Sequence, residues 1–148
     1  MQRVIFISLL LAAILSSHAL AVEPIYSGGQ ERAAIRGFDP VAYFTDHKAV
    51  KGDESYSYEY QGAIWFFSST ENRDLFAANP EAYAPQYGGY CAYAVSHNTT
   101  ASIKPEYFTI HEGKLYLNYS QSVMKKWTKD KQRYIEEANQ NWPKVLEK

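Results

Sequence analysis

The rhythm of hydrophobic and polar positions changes several times along this chain, and each change predicts an element. Tyr56-Ser57-Tyr58-Glu59-Tyr60 alternates, Ala63-Ile64-Trp65-Phe66-Phe67 is densely apolar, and Gln61-Gly62 stands between them. Alternation, a Gly-containing turn and an aromatic run predict a β-hairpin. A second hairpin is predicted from Tyr107-Phe108-Thr109-Ile110 through Glu112-Gly113 into Lys114-Leu115-Tyr116-Leu117-Asn118-Tyr119. Between the two, Ser68 and Glu71 have capping-box spacing and predict a helix from about Thr70 to Ala78, with Leu75 and Phe76 inward. From about Ser122 the period becomes 3.6, placing Val123, Met124, Trp127, Tyr134, Ile135 and Ala138 on one side of a long helix that Pro143 ends. Asp39-Pro40 reads as a cap followed by a proline in the first helical position, and Asn79-Pro80 repeats the device.

The opening segment has a different pattern. A basic start ending at Arg3, an apolar run from Val4 to Leu15 and the closing Ala19-Leu20-Ala21 match a cleavable export signal. The run is shorter than the about 20 residues that cross a bilayer, so no integral membrane segment is expected after cleavage near Ala21. Residues 22–148 then form a single domain beginning at Val22 in the periplasm or outside the cell. Val22 to Gly29, with Pro24, Gly28 and Gly29, reads as an extended lead-in. Hairpins interleaved with helices, without a βαβ rhythm, make the class α+β: small antiparallel hairpins packed with short helices and a long C-terminal helix. No internal repeat and no low-complexity segment is visible. Phe76, Trp65 and Trp127 are expected in one continuous core.

Composition adds three constraints. Net charge is −1, becoming −2 when Arg3 leaves, which gives no reason to expect nucleic acid or an anionic membrane as partner. Thirteen tyrosines, three tryptophans and seven phenylalanines suit a small core with wet edges and equally suit a binding surface. Cys91 is the single cysteine, so no intramolecular disulfide can form and packing must stabilise the fold.

The segment Tyr87-Gly88-Gly89-Tyr90-Cys91-Ala92-Tyr93-Ala94 holds the most suggestive chemistry. Two glycines permit a sharp turn just before the thiol, which is expected at a helix start, partly accessible from a cleft. Two readings stand: a small buried hydrophobe, or a reactive or ligating thiol. His97 comes six residues later, and Cys91 with His97 would suit Cu or Zn if further donors joined them. Yet no paired CxxC or HxxxH spacing is present, and His47 and His111 sit in stretches that read as solvated loop and turn. A thiol triad of Cys91, His97 and Asp39 can be written, but no spacing constrains it. Asn98-Thr99-Thr100 and Asn118-Tyr119-Ser120 match the glycosylation sequon, relevant only in a eukaryotic source.

Gly37-Phe38-Asp39-Pro40-Val41-Ala42-Tyr43-Phe44, Trp65-Phe66-Phe67-Ser68, Asn79-Pro80-Glu81-Ala82-Tyr83 and Tyr87 to Ala94 together resemble the YHS domain family, and most of all its exported single-domain branch. The resemblance implies an association with metal binding, through one cysteine after Asp-Pro-Val and another inside Phe-Cys-Ser. Those positions here are Ala42 and Phe67, so that motif's ligands do not carry over. The expected function is an exported binding protein holding a soft metal ion (Cu or Zn) or a small molecule near Cys91. Cys91 and His97 are the metal candidates, and Asp39, Tyr43, Tyr87 and Tyr93 the ligand-contacting ones. The alternatives are an envelope interaction module without metal and, third, a thiol-dependent enzyme.

Overall fold

The structure is a computed structural model that describes residues 21–28 and 32–148. The predicted export signal therefore lies, apart from Ala21, outside the described residues. No described helix is long and apolar enough to cross a membrane. The class is α+β: the described residues form two two-stranded antiparallel sheets and five α-helices, with short 3-10 turns between them.

The first sheet pairs β1 (Asp53–Tyr60) with β2 (Ala63–Phe67), in a register that sets Tyr58 opposite Trp65 and slips between Asp53 and Ser57. The second pairs β3 (Phe108–His111) with β4 (Lys114–Leu117). Both turn through two left-handed residues, Gln61-Gly62 (φ 50° and 75°) and Glu112-Gly113 (φ 50° and 73°). Such turns match the strand twist and favour glycine.

The helices are α1 (Ala42–Thr45), α2 (Thr70–Ala78), α3 (Ala92–Ser96), α4 (Gln121–Lys129) and α5 (Lys131–Val145). Ser69, one residue after the predicted cap, caps α2 by accepting from the Asn72 N–H at 3.1 Å. The shift has a cause: the N–H and hydroxyl of Ser68 both donate to Asp39. Ser120 caps α4 in the same way through the Val123 N–H. The long C-terminal helix is broken at Asp130 (φ −146°, ψ 48°), which lets α4 face its hairpin while α5 lies along α3. Pro143 does not end α5, which runs on to Val145 and closes with the Leu146 N–H on the Trp142 carbonyl.

The core is two clusters where one was expected. Trp65 and Phe76 belong to the first, with Ile35, Val41, Tyr43, Phe67, Ile103, Leu115 and Leu117. Trp127 belongs to the second, with Tyr87, Ala92, Val95, Tyr116, Ile135 and Ala138. The period-2 alternation of β4 divides them, sending Leu115 and Leu117 one way and Tyr116 the other. α3 is shared likewise, Cys91 and Ala94 facing the first cluster and Ala92 and Val95 the second.

Candidate functional site

Asp39 is fully buried and satisfied by five donors. Its Oδ1 accepts from the N–H groups of Val41 (2.8 Å) and Ala42 (3.3 Å). Its Oδ2 accepts from the Ser68 N–H (2.8 Å), the Ser68 hydroxyl (2.7 Å) and Asn72 Nδ2 (2.8 Å). A carboxylate offers about four lone-pair positions, so this one is filled by the protein itself. The sequence reading of Asp39 as a helix cap holds, and the cap also ties α1 to the start of α2. Tyr43 is buried beside it, donating its hydroxyl to the Pro105 carbonyl at 2.9 Å and packing edge-on against Phe108. Burial, then the charges of Glu106 and Asp39, push the Tyr43 phenol well above its ordinary pKa.

The turn before the thiol is left-handed through three residues, Tyr87 (φ 57°), Gly88 (φ 60°) and Gly89 (φ 84°). Gly88 is required there, because a Cβ would overlap the Pro24 carbonyl oxygen. Tyr87 turns its hydroxyl into the second cluster, donating to Asn139 Oδ1 at 2.9 Å and to the Ile135 carbonyl at 3.4 Å. Burial holds its pKa high as well.

Cys91 stands at the N-terminus of α3, as expected, but it is 1 % exposed, so the predicted cleft access is absent. Its Sγ donates to Asn118 Oδ1 at 3.5 Å, and its N–H donates to the Ala101 carbonyl at 3.1 Å. Burial pushes the thiol pKa up, against the opposing pull of the Ala94, Tyr119 and Tyr93 backbone amides. The thiolate is thus disfavoured, the reverse of the activation that a helix start would otherwise bring.

His97 closes the other end of α3 and is exposed. Its Nδ1 lies 2.8 Å from the Tyr93 carbonyl and 3.0 Å from Ser96 Oγ, and its ring packs on Tyr93 with centroids 4.4 Å apart. Tyr93 is half-buried between His97 and Tyr134. Among the described residues no three His, Cys, Asp or Glu side chains gather as a metal would need. Of the six candidates, Asp39 and Tyr43 lie on the first cluster's side, Tyr87 belongs to the second, and Cys91, Tyr93 and His97 ride on α3. They do not converge on one pocket.

Sequence reasoning missed Asn118 as a structural residue. It is fully buried, its Oδ1 accepts from Cys91 Sγ and from the Tyr93 N–H (3.3 Å), and its Nδ2 has no partner. An amide closing the apolar run Leu115-Tyr116-Leu117 was the available signal. The same burial hides the second sequon, whereas Asn98 of the first is exposed in a left-handed turn.

A groove of about 480 Å³ lies elsewhere, lined by Pro24, Ile25, Gln61, Gly88, Trp142 and Leu146. The Tyr26 N–H anchors the lead-in segment to the Gly88 carbonyl at 2.8 Å, and so builds one wall. No periodicity in residues 22–28 forecasts this.

No curated protein and no solved structure matches the chain. A family model does match: α1, the first hairpin and α2, up to the left-handed turn at Tyr87, fall within it, while Cys91, His97 and α5 lie beyond. Residues 41–87 fit the model of the YHS domain, and this chain carries that domain.

Proposed function

We propose that the protein is a non-enzymatic binding protein of the cell envelope, exported by its N-terminal signal, that takes a small, largely apolar molecule in the groove between the lead-in segment and α5. One observation carries the reading: Pro24, Ile25, Trp142 and Leu146 form an apolar concavity of about 480 Å³ with Gln61 as its polar side chain. That volume is within the range of small-molecule sites, which pair apolar walls with few polar groups. The chemistry-bearing side chains point the same way by being spent. Asp39 is filled by backbone and side-chain donors, Tyr43 and Tyr87 are bonded inward, and Cys91 is buried with its pKa raised. A nucleophile or general base needs access, and these groups are buried.

The test is binding of an environment-sensitive apolar dye, anilinonaphthalene sulfonate, to the purified chain. Saturable binding that Trp142→Ala and Leu146→Asp weaken about tenfold, and that Cys91→Ser leaves unchanged, supports the reading. Dye binding indifferent to both groove substitutions contradicts it. A soft metal ion, Cu or Zn, at Cys91 is the second reading. It is favoured by the unpartnered Asn118 Nδ2 beside the thiol, a sign of a polar site not fully satisfied. Stoichiometric Cu(I) or Zn(II) uptake lost in Cys91→Ser would select it.

A further inference from the structure

The elements of this fold occur twice in the same order, although the sequence shows no repeat. A left-handed turn, a short helix, a hairpin and a nine-residue helix run from Ala34 to Ala78, and the same series runs from Gln86 to Lys129. The correspondence reaches individual dihedral angles. Ile35, Arg36 and Gly37 (φ 51°, 54° and 81°) are answered by Tyr87, Gly88 and Gly89 (φ 57°, 60° and 84°). Three successive left-handed residues, one of them a β-branched isoleucine, are rare enough that chance does not explain two such turns in one small chain.

Hydrogen bonds and packing repeat as well. The Asp39 N–H donates to the Val50 carbonyl at 2.9 Å, and the Cys91 N–H donates to the Ala101 carbonyl at 3.1 Å. The second helix of each series is capped by a serine of nearly identical conformation, Ser69 (φ −156°, ψ 163°) and Ser120 (φ −152°, ψ 166°). At matching places in hairpin and helix, Trp65 lies on Phe76 with centroids 5.0 Å apart at 34°, and Tyr116 lies on Trp127 at 5.2 Å and 37°. Each nine-residue helix stops at a residue outside the helical region, Asn79 and Asp130.

We propose that residues 86–130 are a diverged second copy of the unit that residues 34–79 form, and that Cys91 holds in it the helix-capping position that Asp39 holds in the first. Asp39 receives the N–H groups of Val41, Ala42 and Ser68. The amides acting on Cys91 are those of Tyr93, Ala94 and Tyr119, the matching positions in the second series. The thiol makes no capping hydrogen bond of its own, and the Tyr93 N–H donates instead to Asn118 Oδ1 at 3.3 Å, so the place that in the first unit holds a carboxylate holds a weaker group in the second. The repeat escapes the sequence because only the cap, glycine and aromatic positions recur in kind, and an internal period is legible only where more positions agree. The copies differ at their exits. A 3-10 turn, Pro80–Ala82, leads out of the first, whereas α5 leads out of the second and closes over α3.

The equivalence is tested in the full chain with Cys91→Ser, Cys91→Asp and Cys91→Val, read by amide hydrogen exchange at Tyr93, Ala94 and Tyr119 and by the thermal midpoint. Serine and aspartate are expected to keep the three amides protected to within about threefold of wild type, and valine to expose them by about tenfold or more. Adding Tyr119→Ser to Cys91→Asp is expected to raise the midpoint above that of Cys91→Asp alone, since Ser68 gives Asp39 both its N–H and its hydroxyl. If Cys91→Asp alone does not fold, folding of the double variant is the same rescue. Full protection in Cys91→Val, or no gain from Tyr119→Ser, overturns the proposal.

Discussion

The two units of this fold, residues 34–79 and 86–130, solve one problem with different chemistry. In the first, a fully buried carboxylate gathers five donors and so fixes the start of α1, the end of β2 and the first turn of α2 at one point. In the second, the corresponding place holds a thiol that donates to Asn118 and makes no capping hydrogen bond. The first arrangement is demanding, because a buried charge tolerates few substitutions around it. The second leans on apolar cover from α5, whose Ile135 and Ala138 pack with Val95 and Ala92. The YHS match over residues 41–87 begins just after Asp39 and takes in the residues that donate to it, Val41, Ala42, Ser68 and Asn72.

The largest expected effect separates the two caps. Asp39→Ala strands several buried donors at once and should cost about 3–5 kcal/mol, whereas Cys91→Ala removes one soft side chain and should cost about 1–2 kcal/mol. Urea unfolding of both variants measures this, and equal losses would mean that the clasp has no special weight.

A smaller effect compares the two large indoles. Trp65 Nε1 donates to the Tyr60 carbonyl at 3.1 Å, while Trp127 Nε1 is buried without a partner. Trp65→Phe leaves an acceptor behind and should cost about 2–3 kcal/mol; Trp127→Phe removes an unsatisfied donor and should cost about 1 kcal/mol. Thermal midpoints of the pair check the order, and a reversed order would show that volume alone governs both sites.

Much of the fold was legible in the sequence for local reasons. Both hairpins announced themselves by alternation and Gly-containing turns, α2 by its serines, and the Asp39 cap by Asp-Pro. The break at Asp130 was not legible, because Val123 to Ala138 keep one helical period while the tertiary demand changes from the hairpin to α3. The division of the core was hidden for a related reason: β4 is apolar on both faces, so its pattern reports burial without saying against what. The candidate site was the least legible. Cys91, His97 and the tyrosines are chemically suggestive by type, but their availability depends on contacts such as Asn118 to Cys91 that no local pattern encodes.

The claim on which the account turns is that Cys91 is an inert cap inside the fold, and the rate of its reaction with iodoacetamide in the native chain tests that most directly. Because the thiol is 1 % exposed and burial raises its pKa, native labelling should proceed only through opening of the fold, at least about a hundredfold slower than in the urea-unfolded chain at the same pH. Native labelling as fast as in the unfolded chain would contradict the account and return Cys91 to the ligands.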